Sequence, residues 1–113
     1  NWEDRHAMPQ EQRLIYMTAG SADEASAIGE ALVGEHLAAC VNLIEGMRSI
    51  YRWQGQIQRD TETVIIAKTT EDRVAALTER VKALHSYDTP CIVVLPIEGG
   101  NAEFLKWISE QVK

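Results

Sequence analysis

Apolar residues fall into short blocks along this chain, and each block's period assigns it to a strand or a helix. Arg13 to Ala19 (RLIYMTA) is dense in strand formers and is stopped by Gly20 and Ser21, which predicts a first strand. Ser21-Ala22-Asp23-Glu24 is a capping box. The Ser21 hydroxyl accepts from the Glu24 amide, the Glu24 carboxylate reaches back to the Ser21 amide, and a helix starts there. Ala25, Ile28, Leu32 and, less regularly, Leu37 give that helix its core stripe, while Gly29 and Gly34 either weaken it or permit close packing. Strand chemistry then runs to Thr69, broken at Glu45-Gly46 and again around Gln54-Gly55. In the long ribbon this predicts, Met47, Ser49, Tyr51 and Trp53 alternate with Arg48, Ile50 and Arg52.

Thr70 is placed to cap a second helix whose stripe Val74, Leu77, Val81, Leu84 has spacings of three, four and three. It ends near His85, and the turn Ser86 to Pro90 feeds a last strand, CIVVLPI. Gly99-Gly100-Asn101 breaks that strand, and Asn101 caps a terminal helix packing Phe104, Leu105, Ile108 and Val112. The order β-α-β-β-α-β plus a helix predicts an α+β, ferredoxin-like split βαβ sandwich with an elongated central β-ribbon. Both main helices of that fold cover one sheet face. Yet Val64 to Ala67 and Cys91 to Ile97 are continuous apolar runs, the mark of strands covered on both faces. The terminal helix is too short to hide a four-stranded sheet, and each aliphatic side chain left wet forfeits roughly 1.5–3 kcal/mol. The expectation is a homo-oligomer with its sheets turned inward.

At 113 residues, 45% hydrophobic and 25% charged, the chain is one globular domain. Residues 13–113 form it, and residues 1–12, polar and without period, are expected to be a flexible arm or a cloning remnant. Seventeen acidic against eleven basic residues give a net charge of −6, which argues against nucleic acid and anionic membrane surfaces as partners. No apolar run approaches the about 20 residues that span a bilayer, and nothing reads as a signal peptide. Two cysteines do not make a disulfide scaffold, so reduced thiols and a cytoplasmic setting are expected.

Five segments resemble one known family. EHLAACVNLI (Glu35–Ile44), SIYRWQGQI (Ser49–Ile57), HSYDTP (His85–Pro90), VLPIEGGN (Val94–Asn101) and FLKWI (Phe104–Ile108) are similar, in one register from about Leu14 to Lys113, to the CutA divalent-cation-tolerance proteins. The resemblance implies a cytoplasmic homotrimer of ferredoxin-like subunits linked to tolerance of copper and other divalent metals. It implies no enzymatic reaction and no obligatory cofactor. Family members usually read H-P-Y-E-x-P-E at the second turn. This chain keeps His85, Tyr87 and Pro90 but has Ser86, Asp88 and Cys91 in place of the proline and two glutamates. Met17 and Leu84-His85 stand where some relatives have a cysteine and a doubled histidine.

The metal candidates are therefore His85, Met17, Cys91 and Cys40. His85 has a plain alternative as a residue closing its helix, and Cys40 as an inert buried thiol. Cys91 in place of a carboxylate would shift a site toward Cu(I). No C-x-x-C or H-x-x-H spacing supports a dedicated zinc site. Tyr51, Trp53, Tyr87 and Asp88 are candidates for a cleft between subunits or for interface packing. Arg48 and Arg52 are placed to pair with Glu45, Asp88 or Glu98, or to remain solvated. A second functional class is a small-molecule or nucleotide sensor using inter-subunit clefts, as the architecturally similar PII trimers do. An acylphosphatase-type enzyme lacks its anion-cradling loop at Ala19-Gly20-Ser21, and an RNA-recognition module would need a basic, aromatic third strand where this chain has ETVIIAK.

Overall fold

The computed structural model describes residues 11–113, so most of the expected arm lies outside the described residues. Its last two positions do not. Gln12 is buried and opens the first strand, and the Glu11 carbonyl accepts from the Glu71 amide. In chain order the elements are β1 (Gln12–Ala19), α1 (Ala22–Gly34), β2 (Cys40–Trp53), β3 (Gln56–Thr70), α2 (Val74–Leu84), β4 (Ile92–Pro96) and α3 (Ala102–Gln111). The four strands form one antiparallel sheet in the order β2-β3-β1-β4, the ferredoxin-like arrangement.

Local chemistry accounts for the element ends. Ser21 caps α1 by accepting from the Glu24 amide at 3.1 Å, but the reciprocal half of the box is different. Glu24 accepts from the Gly20 amide at 3.3 Å and from the Ser86 amide at 2.8 Å, tying the start of α1 to the turn after α2. Gly29 is a close-approach glycine: a Cβ there would lie 3.1 Å from Val41 Cγ1, whereas Gly34 faces open space. Glu45-Gly46 does not end a strand. The β2–β3 register shifts between Ile44 and Met47, a bulge in which Gly46 takes a φ of 73° that costs glycine little. Gln54 and Gly55 are both left-handed and close a two-residue hairpin between Trp53 and Gln56. Thr70 does not cap α2. A 3₁₀ turn, Glu71–Arg73, intervenes, and the Thr70 hydroxyl donates to the Asp72 carboxylate.

The core lies between the sheet and α1 and α2. Ile15, Met17 and Ala19 of β1 and Ile65 and Ala67 of β3 meet Ala25, Ile28 and Leu32 of α1 and Leu77 and Val81 of α2. Leu84 continues the α2 spacing but is exposed. The terminal helix α3 seats Leu105, Ile108 and Val112 on Ala39 and Ile97 and is held by Gln12 Nε2, which donates to the Leu105 carbonyl at 3.1 Å and to Ser109 Oγ at 2.9 Å. Phe104, expected in that packing, instead stacks on Trp107 at the surface.

That seat covers one end of the sheet only. Register places Leu14, Tyr16 and Thr18 of β1, Val64 and Ile66 of β3, Val93 and Leu95 of β4 and Ile44 of β2 together on the face opposite α1 and α2. Val93 is 50% exposed, Leu95 44% and Ile44 52%. The two-face apolar reading of β4 thus meets a strand that the single chain leaves open, and α3 does not shield it. Beyond Thr63, β3 pairs only with β2, so Met47–Trp53 and Gln56–Glu62 form the long ribbon.

Candidate functional site

Where the ribbon rises from the open sheet face, it and the turn after α2 enclose a cleft of about 720 Å³. Aromatic rings line it from three directions: Tyr16 from β1, Tyr51 and Trp53 from the ribbon, Tyr87 from the turn. Thr18, Met47, Ser49, Glu62, Asp88 and Cys91 supply its polar and sulfur atoms. Tyr51, Trp53, Tyr87 and Asp88, expected at a cleft between subunits or in interface packing, all line this cleft of the single chain.

Glu62 is the centre of the polar network, and neither the spacing nor the strand pattern marked it. Ser49 Oγ donates to Glu62 Oε1 at 2.6 Å and Tyr87 Oη donates to Glu62 Oε2 at 3.1 Å. Beside them Tyr51 Oη donates to Asp60. Burial, and then the Glu62 carboxylate that accepts its proton, push the Tyr87 phenol up to about 12. The Asp60 bond likewise raises Tyr51. These hydroxyls stay protonated and act as donors, since ionising either would set two negative charges against each other. Burial first, and Glu62 second, also raise the Cys91 thiol against a lowering hydrogen bond with Thr18. Cys91 is a thiol, not a thiolate, at neutral pH.

His85 fixes the turn that carries Tyr87. It is buried, with Nε2 donating to the Thr18 carbonyl at 2.8 Å and Nδ1 accepting from the Tyr87 amide at 3.1 Å. The partners set the tautomer, because a carbonyl only accepts and an amide N–H only donates. Both nitrogens are committed to backbone, so this ring offers no lone pair to a metal, and the alternative role of closing α2 is the one the geometry gives. Glu24 braces the same turn. Burial raises its carboxyl, but the hydrogen bonds from Ser86 and Gly20 outweigh that and leave it below the usual carboxylate range.

The four metal candidates are not assembled. Met17 is fully buried beneath the helices, Cys91 lies on the opposite sheet face in the cleft, and Cys40 sits on β2 with the Lys68 ammonium 3.9 Å from its sulfur. Among the described residues no three His, Cys, Asp or Glu side chains converge as a metal site. The sulfur that does join Cys91 at the cleft is Met47, whose Sδ accepts from Ser49 Oγ at 3.2 Å. Alternation placed Met47 with Tyr51 and Trp53, which is the signal that could have found it. Arg48 lines the cleft, yet among the described residues neither it nor Arg52 forms an ion pair.

The network can be read by titration. Of the three tyrosines, the last to ionise should do so near pH 12, and Tyr87→Phe should remove that phase. Because the folded value lies above the ordinary 10, Tyr87's contribution to stability is whole below pH 10 and lost as pH rises toward 12. Three phenols ionising together around pH 10 would contradict the Glu62 bond.

Residues 13–111 match the family described as CutA1 divalent ion tolerance protein. The divalent-cation tolerance protein CutA of Thermus thermophilus is 48% identical over 99 residues, covering 88% of this chain and 96% of that protein. Its counterpart in Archaeoglobus fulgidus is 46% identical over 100 residues, covering 88% and 97%. The crystal structure of CutA1 from Oryza sativa superposes with a TM-score of 0.89 at 39% identity, covering 91% of this chain and 94% of that one. The Thermus thermophilus divalent cation tolerance protein superposes at 0.87 with 48% identity, covering 88% and 97%.

Proposed function

The chain belongs to the CutA1 divalent ion tolerance family, and on that premise we propose that it serves divalent-cation tolerance as a non-catalytic homotrimeric binding protein of the cytoplasm. The observation that carries this reading is the open sheet face. Val93, Leu95, Ile44 and their half-buried neighbours Leu14, Tyr16 and Ile66 form one apolar surface with no cover from the chain's own helices. Three copies turned inward would cover it and wall in the clefts.

Copper or another divalent ion would be met at those clefts and held loosely. Within one chain Cys91, Met47 and Glu62 are the donors at hand, and they do not complete a coordination shell. Cys91 must also lose a proton that burial and Glu62 hold in place. A copper site would need donors from a second copy. The cytoplasmic setting is supported by two unpaired cysteines and an acidic chain, and no helix among the described residues is long and apolar enough to cross a membrane. The Archaeoglobus fulgidus structure is described as periplasmic, which concerns that protein.

A second reading, a small-molecule sensor working through clefts between subunits, is favoured by the cleft itself. Its volume of about 720 Å³ is within the usual range for ligand sites, and its walls combine rings with a few convergent polar groups. Native mass spectrometry of protein purified without metal or chelator tests both. Three copies per particle are expected, with retained metal or organic mass distinguishing the readings. A particle of 12.7 kDa at micromolar concentration would overturn the trimer.

A further inference from the structure

We propose that the cleft binds a small organic ammonium ion, held by the faces of Tyr16, Tyr51, Trp53 and Tyr87 and by the charge of Glu62 and Asp60. The inference rests on the cleft reading above and names the chemistry its occupant must have. Two properties of the walls select that chemistry.

The first is unbalanced charge. Glu62 and Asp60 receive hydrogen bonds from Ser49, Tyr87 and Tyr51, all neutral hydroxyls that orient the carboxylates without cancelling them. Glu62 and Asp88 are the two carboxylates of the lining; Asp60 lies outside it, beside Arg48 and Arg59, and is joined to it through the Tyr51 hydroxyl. None of the ion pairs among the described residues involves Glu62, Asp60 or Asp88. Arg48 is the one cationic side chain among the lining residues, which leaves the cleft net negative on a chain that is itself at −6. An anionic ligand such as a nucleotide phosphate is repelled.

The second is the rings. A bare divalent ion needs several oxygen or sulfur donors at one point, and Glu62 and Asp60 are each turned toward a hydroxyl partner rather than toward a common centre. Aromatic faces bind the opposite kind of cation, one that is large, weakly hydrated and carries its charge on alkyl groups. Rings from three elements around carboxylates held by neutral donors therefore suit an alkylammonium better than a metal ion or a neutral ring.

Isothermal titration with benzyltrimethylammonium, benzyl alcohol and benzenesulfonate tests this, with particle mass recorded by light scattering in the same buffer. Saturable binding of the ammonium is expected, at least tenfold tighter than either comparator and weakened by added salt. Glu62→Gln and Asp60→Asn should each reduce it about tenfold. Asp60 is exposed, so the second variant remains informative should the first fold poorly. Equal affinity for benzyl alcohol, or ammonium binding untouched by both variants, would overturn the inference. A trimer that ignores the ammonium also overturns it while leaving the assembly standing. A monomer that binds it through Glu62 overturns the assembly and supports the inference.

Discussion

Val93→Asp is expected to leave the chain folded and to break its assembly. Val93 lies on edge strand β4 opposite Tyr16 and is already half exposed in the single chain, so a carboxylate there stays in water as long as the chain is alone. In the proposed trimer the same carboxylate would be pressed between apolar sheet faces. Burying an unpaired charge costs several kcal/mol. At about 1.4 kcal/mol per tenfold, a loss of roughly 4 kcal/mol weakens association about a thousandfold. The light-scattering mass should fall to 12.7 kDa with an unchanged circular dichroism spectrum. A variant that kept the parent mass would show that the open face is not the interface.

His85→Leu should carry the second large effect, this time on the fold. Leucine fills much of the imidazole's volume but leaves the buried Thr18 carbonyl without its Nε2–H partner and the Tyr87 amide without Nδ1. Each orphaned group costs about 1–3 kcal/mol, so thermal or denaturant unfolding should register a loss of roughly 2–6 kcal/mol. The turn would also release Tyr87 from Glu62, and the ionisation near pH 12 should move back toward 10. Wild-type stability together with wild-type titration in this variant would mean that His85 neither closes α2 nor positions the cleft.

The architecture was legible because most of its determinants are local. Ser21 and Asn101 announce their helices by side-chain caps that the structure retains. Val64 to Ala67 signals a central strand through unbroken apolar character. What escaped the reading depends on pairing. A Gly after Glu45 looks the same whether it ends a strand or bulges within one, since only the partner strand reveals the register shift. Leu84 and Phe104 satisfy helical spacing, but α2 and α3 pack at their other residues and leave these two out. Spacing also could not separate Met17 from Cys91. Met17 pairs with Ile92, which puts Cys91 a position further along and on the other face. Glu62 reads as the charged lead-in to VIIAK and becomes the hub of a cleft only when the hairpin and the turn after α2 converge on it.

Trp53 illustrates how the single chain and the assembly divide the energetics. At 56% exposed it supports little of the fold, so the cost of its removal would fall on association and on the cleft.

The extra residue at Gly46 decides which side of the hairpin carries the chemistry. Before it, even-numbered positions such as Asn42 and Ile44 share a face with Val64 and Ile66; after it, odd-numbered ones, Met47, Ser49 and Tyr51, share that face with Asp60 and Glu62. Flattening that bulge into a regular ladder with the glycine kept would slip the hairpin's far half by one residue against β3. Arg48, Ile50 and Arg52 would then look toward Glu62, and a hollow that favours cations would be filled by the chain's own guanidinium groups.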